Sequence, residues 1–150
     1  MQRTLVLLKP DTIQRGHAGE IISRLERRGL KLVAMKLMRI GDALARRHYA
    51  EHVGRDFFDG LVGFITSGPI VAMVVEGEEA VGVVRSTMGP TNPLDAPPGT
   101  VRGDLGMVIG RNLIHGSDSE ESAVREIDLF FAPDEILGYS RDVDGWITES

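Results

Sequence analysis

The aliphatic stretch "NLIH" (112–115) ends in a histidine, and "GSDSEES" (116–122), rich in helix-capping serine and aspartate, follows at once. An imidazole at such a junction, His115, suits nucleophilic chemistry. With an ordinary pKa of about 6.5 it is mostly neutral at pH 7 and needs no separate base to activate it, as a serine would. The competing reading is a polar residue that only closes a strand.

A carboxylate lies eleven residues on. Advancing about 100° per residue from Ala123, Ile127, Phe130 and Phe131 gather on one helical face, and Glu121, Arg125 and Asp128 on the other. Glu126 falls at the edge of the apolar face, where a desolvated carboxylate needs a partner. That partner is either a neighbouring Lys or Arg in a structural ion pair, or His115, whose ring Glu126 would then orient. Periodicity leaves both open.

Cations complete the list. Neither G-x-x-x-x-G-K-[ST] nor a properly placed G-x-G-x-x-G is present, so a phosphate site here must use side-chain charge. Lys9 at a strand end, Arg85 late in a helix, Arg102 in a proline-rich loop and Arg111 before the last strand are the candidates. His48 and His52, spaced i, i+4, suggest a metal pair. Without H-E-x-x-H or a third ligand at a telling distance they read as exposed helix residues instead.

These groups need a frame. "TLVLL" (4–8) reads as a buried strand, "HAGEIISRLERRG" (17–29) as a helix stopped by Gly29, and "LKLVAMKLMRI" (30–40) as a strand. Asp42 is placed to cap a helix running towards His52, and "FFDGLVGFI" (57–65) has helical spacing. "IVAMVV" (70–75), apolar throughout, reads as a central strand, and "EEAVGVVRSTM" (78–88) as a helix. Gly89–Gly106 carries four prolines and reads as a long irregular loop. A short strand at "NLIH" and a helix from about Asp118 to Phe131 finish an α/β order around one sheet.

Composition narrows the classes. The 150 residues fit one domain, 1–150, with 42% hydrophobic residues to fill a core. Net charge is −5 and the sequence pI about 5.3, which disfavours a nucleic-acid surface. The absence of cysteine excludes disulfides, thiolate metal sites and thiol nucleophiles. The apolar run before Lys9-Pro10 is too short for a signal peptide or membrane span, so a soluble cytoplasmic protein is expected.

Taken together, "NLIHGSDSEESAVREI", "LLKPD", "HAGEIISRLERRG", "FFDGLV", "TSGPIVAMVVEG" and "TNPLDAPPGTVRGD" resemble, in the same order, the nucleoside diphosphate kinases. The resemblance covers nearly the whole chain. It implies an α+β, ferredoxin-like βαββαβ sandwich with an antiparallel sheet and a long proline-rich loop. It also implies ping-pong transfer of a γ-phosphate between nucleotides through a phosphohistidine on His115, with Mg²⁺ carried by the nucleotide phosphates rather than by protein ligands. Glu126 would orient the histidine and Ser117 support that carboxylate. Tyr49 would lie close to the ring, and Lys9 and Asn112 near the sugar 3′-hydroxyl and γ-phosphate. Arg85, Thr91 and Arg102 would contact phosphates, while Phe57 stacks on the base with Leu61 and Ile109 lining the slot.

Three positions depart from the family pattern. Asp56 replaces a proline, which puts the base-clamping helix hairpin in doubt. His17 and Leu105 replace residues away from the chemistry. Two other classes remain for comparison. A nucleotide-sensing module without catalysis sits badly with the full set of reactive residues, and an RNA-binding sheet with the acidic pI. The family assembles as hexamers, or as tetramers in some bacteria. A homohexamer is expected here, because a proline-rich loop that cannot pin itself needs neighbouring subunits, as do Trp146 and Ile147 in the tail.

Overall fold

The computed structural model describes residues 1–149. β1 (Gln2–Leu8) runs into α1 (Pro10–Arg15), where Pro10 supplies a preset first helical turn. α2 (Ala18–Arg27) buries Ile21 and Leu25 and stops before Gly29, whose φ of 110° lies in the left-handed region. After β2 (Lys31–Met38), α3 spans Asp42–His48. Its cap is the extended Gly41, with Asp42 already inside the first turn, and it ends short of His52. A separate 3₁₀ turn, Ala50–His52, takes up the remainder. α4 (Phe58–Ile65), β3 (Ile70–Gly77) and α5 (Ala80–Met88) follow as the periodicities predict.

The segment 89–106 is more ordered than its prolines suggest. It contains a 3₁₀ turn at Pro93–Asp95 and a short helix, α6 (Val101–Leu105), capped by the Thr100 hydroxyl accepting from Gly103 N–H at 3.0 Å. Gly103 is needed there, because a side chain would collide with the Pro97 carbonyl. β4 (Ile114–Gly116) and α7 (Glu120–Phe130) close the fold, with the Ser119 hydroxyl accepting from Ser122 N–H at the head of α7.

The sheet order is β2-β3-β1-β4 with every pair antiparallel. Taken with α2 and α5 as the crossing helices, this is the ferredoxin-like βαββαβ sandwich. Alternation divides the core. Leu5, Leu7, Ala72 and Val74 face one side, under Ala45, Val62, Ile127 and Phe130. Val6, Leu8, Met73 and Val75 face the other, under Ile21, Leu25, Val84 and Met88. With both faces covered, β1 and β3 are central, and their inner stretches Leu5–Leu8 and Ile70–Val75 are uninterrupted apolar runs.

Candidate active site

β4 pairs with β1 so that His115 stands opposite Leu7. The pleat therefore aims the imidazole at the face lined by α3 and α7. The turn before it is strained: Leu113 has a φ of +74°, rare for a branched residue. The β1–α1 junction clamps it. Lys9 N–H and the Thr12 hydroxyl donate to the Leu113 carbonyl at 2.9 and 2.7 Å, and Leu113 N–H donates to Asp11 Oδ2 at 3.1 Å. A left-handed turn held at three points fixes the direction of the residues after it.

His115 Nε2 lies 2.7 Å from Glu126 Oε1, and the Ser117 hydroxyl donates to the same oxygen at 2.9 Å. Ser117 is wholly buried and Glu126 nearly so. Burial alone pushes the Glu126 carboxyl up. The hydrogen bond and charge of His115, then the Ser117 hydrogen bond, outweigh it and hold the group below the ordinary carboxylate range. Both readings of Glu126 find a partner: His115 at hydrogen-bond distance from Oε1, and Arg125 Nη2 in a longer ion pair, 3.7 Å from Oε2. When the ring is neutral, an ionised Glu126 makes Nε2 the protonated nitrogen and leaves the lone pair on Nδ1.

Three cations touch the segment that carries the histidine. Lys9 Nζ donates to Asn112 Oδ1 at 2.8 Å, and Asn112 Nδ2 in turn donates to the Thr91 carbonyl at 3.0 Å. Arg102, 4% exposed, donates to the carbonyls of Asn112, Gly89 and Ile114 at 3.1, 2.9 and 2.5 Å. Arg85 donates to the Gly116 carbonyl at 3.2 Å. Burial, then the charge of Arg102, lowers Lys9 to about 8 despite Asp11. Burial, then Arg85, lowers Arg102 to about 10. Cations that depress one another in this way form an electrostatic setting suited to an anion.

Other predicted residues are grouped more loosely. Phe57 and Ile109 are 47% and 57% exposed, and Leu61 stands one turn along α4 from Phe57. The Arg55 guanidinium covers the Phe57 ring at 5.6 Å. Thr91 is exposed. Arg111 is taken up elsewhere, over the Phe64 ring at 4.3 Å. Tyr49, pushed up to about 12 by burial and then by Glu126, packs its ring 4.7 Å from that of His48, which in turn stands against His115. Asp56 sits in a turn closed by Phe58 N–H on the Arg55 carbonyl at 3.0 Å, so the hairpin forms without the proline. Leu105 packs into the second core cluster and the His17 carbonyl caps α2.

One expectation fails here. His48 is buried, at 4% exposure, and its ring stands edge-on to His115 with centroids 4.7 Å apart. His52 belongs to a different turn and stands beside Phe57 and Glu51. The reason is visible in α3: Leu44 and Ala45 lie four and three residues before His48, so all three share the inward face. That spacing is the signal that would have found it. Asp11, Thr12 and Leu113 carry no such signal, since their roles depend on contacts about a hundred residues apart. A cavity of about 280 Å³ lined by Gly29, Lys31, Glu76 and Arg141 lies apart from all of these groups.

A carboxylate-backed imidazole on an edge strand, its segment held by crowded cations, is an arrangement that a phosphotransferase working through a phosphorylated histidine can use. Comparison with known proteins gives the family. Residues 2–136 match the family model of nucleoside diphosphate kinase. Nucleoside diphosphate kinases of Listeria monocytogenes and Carboxydothermus hydrogenoformans are 58% and 59% identical, over 98% and 99% of this chain and 100% of each relative. The solved structure of the halophilic enzyme from Halobacterium salinarum in complex with CDP superposes with a TM-score of 0.96 at 54% identity, covering 98% of both chains. A family member from Babesia bovis gives 0.96 at 42% identity, covering 99% of this chain and 100% of its own. The chain belongs to the nucleoside diphosphate kinase family, enzymes that move phosphate between nucleoside triphosphates and diphosphates by a ping-pong route through a phosphohistidine.

Proposed function

We propose that His115 is the phosphorylated residue and that Nδ1 is the attacking atom. The 2.7 Å contact between Nε2 and Glu126 carries this reading, because it leaves Nδ1 as the nitrogen with a lone pair. Nδ1 attacks the γ-phosphorus, the bond from phosphorus to the β-phosphate oxygen breaks, and the nucleoside diphosphate leaves. The positive charge that develops on the ring faces the Glu126 carboxylate, itself steadied by Ser117. An incoming diphosphate then takes the phosphoryl group from Nδ1 by the reverse displacement.

Lys9 and Asn112 bind at the sugar 3′-hydroxyl and γ-phosphate, with Tyr49 beside the histidine. Arg85, Thr91 and Arg102 hold the phosphates. Arg102 already serves three backbone carbonyls, so only its remaining N–H groups are left for a ligand. Phe57, Leu61 and Ile109 form the base slot, where stacking without edge recognition accepts any common base. Mg²⁺ enters as part of the nucleotide. Of the carboxylates at this segment, Asp11 accepts from Leu113 N–H and Glu126 lies at Nε2 of His115, on the other side of the ring from the attacking nitrogen, so the phosphates supply the oxygen ligands.

Residues 1–150 act as a single domain, cytoplasmic in location; among the described residues no helix is long and apolar enough to cross a membrane. Assembly is a homohexamer, a trimer of dimers, in preference to a tetramer. The proline-rich segment does not need neighbouring subunits to pin it, because it fastens itself through Arg102, Thr100 and Asn112. What supports assembly is exposed apolar surface, with Leu37 on the edge strand 68% exposed, Leu94 and Met107 on or beside the segment 73% and 71%, and Trp146 91%.

Incubation with γ-labelled ATP and Mg²⁺ should place acid-labile, base-stable phosphate on the protein, and any common diphosphate should remove it. His115→Asn should take up none. Wild-type cycling in that variant overturns the reading.

A further inference from the structure

His48 is a buried ionisable group that the transfer mechanism leaves unused. Both of its ring nitrogens are sealed from solvent and lack a hydrogen-bond partner. Unpaired polar atoms of this kind are rare in folded proteins and call for an explanation. Its surroundings offer one. One donor atom from each of His48, His115 and Glu126 lies within 4.8 Å of the other two. In a tetrahedral zinc site the ligand atoms stand roughly 3.3 Å apart, so a modest side-chain movement closes the set.

We propose that His48, His115 and Glu126 form a binding site for a zinc-class divalent cation, and that filling it switches off the phosphate-accepting histidine. Two imidazoles and a carboxylate are the ligand types such ions prefer, and a water would complete four-coordination. This cation is distinct from the Mg²⁺ that travels with nucleotides, which prefers oxygen ligands and keeps its own waters. Access is through His115, whose side chain is 23% exposed, while His48 and Glu126 wall the inner side.

The switch follows from the tautomer. In the metal-free site the ring proton sits on Nε2, facing Glu126, and Nδ1 holds the lone pair. A metal–Nε2 bond uses the Nε2 lone pair and moves the ring's single proton to Nδ1, so no lone pair remains there for phosphorus. If the ion takes Nδ1 instead, that lone pair is consumed directly. Either way the ring stays neutral, no proton is lost, and the nucleophile is gone. The ligand set stands on the geometry alone; its inhibitory effect rests on His115 being the phosphorylated residue.

The test uses nucleotide-free full-length protein titrated with zinc against a chromophoric chelator. The wild type should bind one equivalent, at least about tenfold more tightly than His48→Gln or Glu126→Gln. His52→Gln and His17→Gln should bind as the wild type does. Should the inner variants fail to fold, cobalt-loaded wild type supplies the second measurement, and paramagnetically shifted NMR signals from two histidine rings are expected. Zinc-loaded protein should take up labelled phosphate about tenfold more slowly or worse, and a chelator should restore it. No stoichiometric binding, loss of binding in His52→Gln, or shifted signals from fewer than two histidines overturns the site. Full binding with undiminished phosphate uptake overturns the switch. Failure of the metal-free protein to take up phosphate counts instead against His115 as nucleophile, and the zinc titration still decides the site.

Discussion

At the level of single residues, the chemistry rests on what each side chain is bonded to before substrate arrives. Glu126→Gln keeps shape and a hydrogen-bonding oxygen while removing the charge that faces His115. Phosphate uptake should slow by about 10–100-fold, with the melting temperature little changed. A purely structural role would instead lower stability and spare turnover of the folded fraction. Lys9 gives a pH test with a definite sign. It is lowered from 10.5 to about 8, so its charge, and with it phosphate binding, should fade above about pH 8. Between pH 8 and 10.5 the unfolded chain holds this proton more often than the folded one, so the Lys9 contribution to stability rises with pH there. Activity should thus fall while this group makes the fold no weaker. An alkaline loss that tracks unfolding would contradict the assignment.

At the level of elements, the arginines separate binding from architecture. Arg102→Ala strands three backbone carbonyls at β4 and the end of α5 and should cost about 2–4 kcal/mol in chemical denaturation. Arg102→Lys should recover little, because an ammonium cannot reach three diverging acceptors as a planar fork does. Arg85→Ala, on the exposed side of α5, should weaken nucleotide binding and lower stability far less than Arg102→Ala, because it frees one carbonyl, that of Gly116, rather than three. This contrast also marks what can be read from the sequence. Strands β1 and β3 and helices α2, α4, α5 and α7 follow from apolar periodicity, which is local. The edge position of Glu126 on α7 is equally legible, although its partner is not. α6 is hidden because its order comes from the Thr100 cap and the Arg102 anchor, in a stretch whose prolines suggest none. The strained Leu113 turn is hidden because Asp11 and Thr12 hold it from the far end of the chain.

At the level of the whole molecule, one protomer already carries every group assigned to the transfer, so assembly should tune stability rather than chemistry. Light scattering should give a mass of about six 16.4 kDa chains. Leu94→Ser together with Met107→Ser should reduce that mass, since both side chains are largely exposed on or beside the proline-rich segment. Phosphate uptake by the smaller species should persist. A four-chain wild type would favour the tetramer, and a monomer would contradict assembly altogether. Pro93→Ala with Pro97→Ala loosens the same segment and should lower thermal stability before it affects His115.

Everything proposed for the transfer depends on Glu126 holding Nε2 and leaving Nδ1 to take the phosphate. Phosphorylating ¹⁵N-histidine-labelled protein with ATP, and identifying the bonded nitrogen by phosphorus–nitrogen coupling in NMR under alkaline conditions, decides the point. A single phosphohistidine at residue 115 with phosphorus on Nδ1 is expected. Phosphate on Nε2 of that ring, or on any other residue, would contradict it.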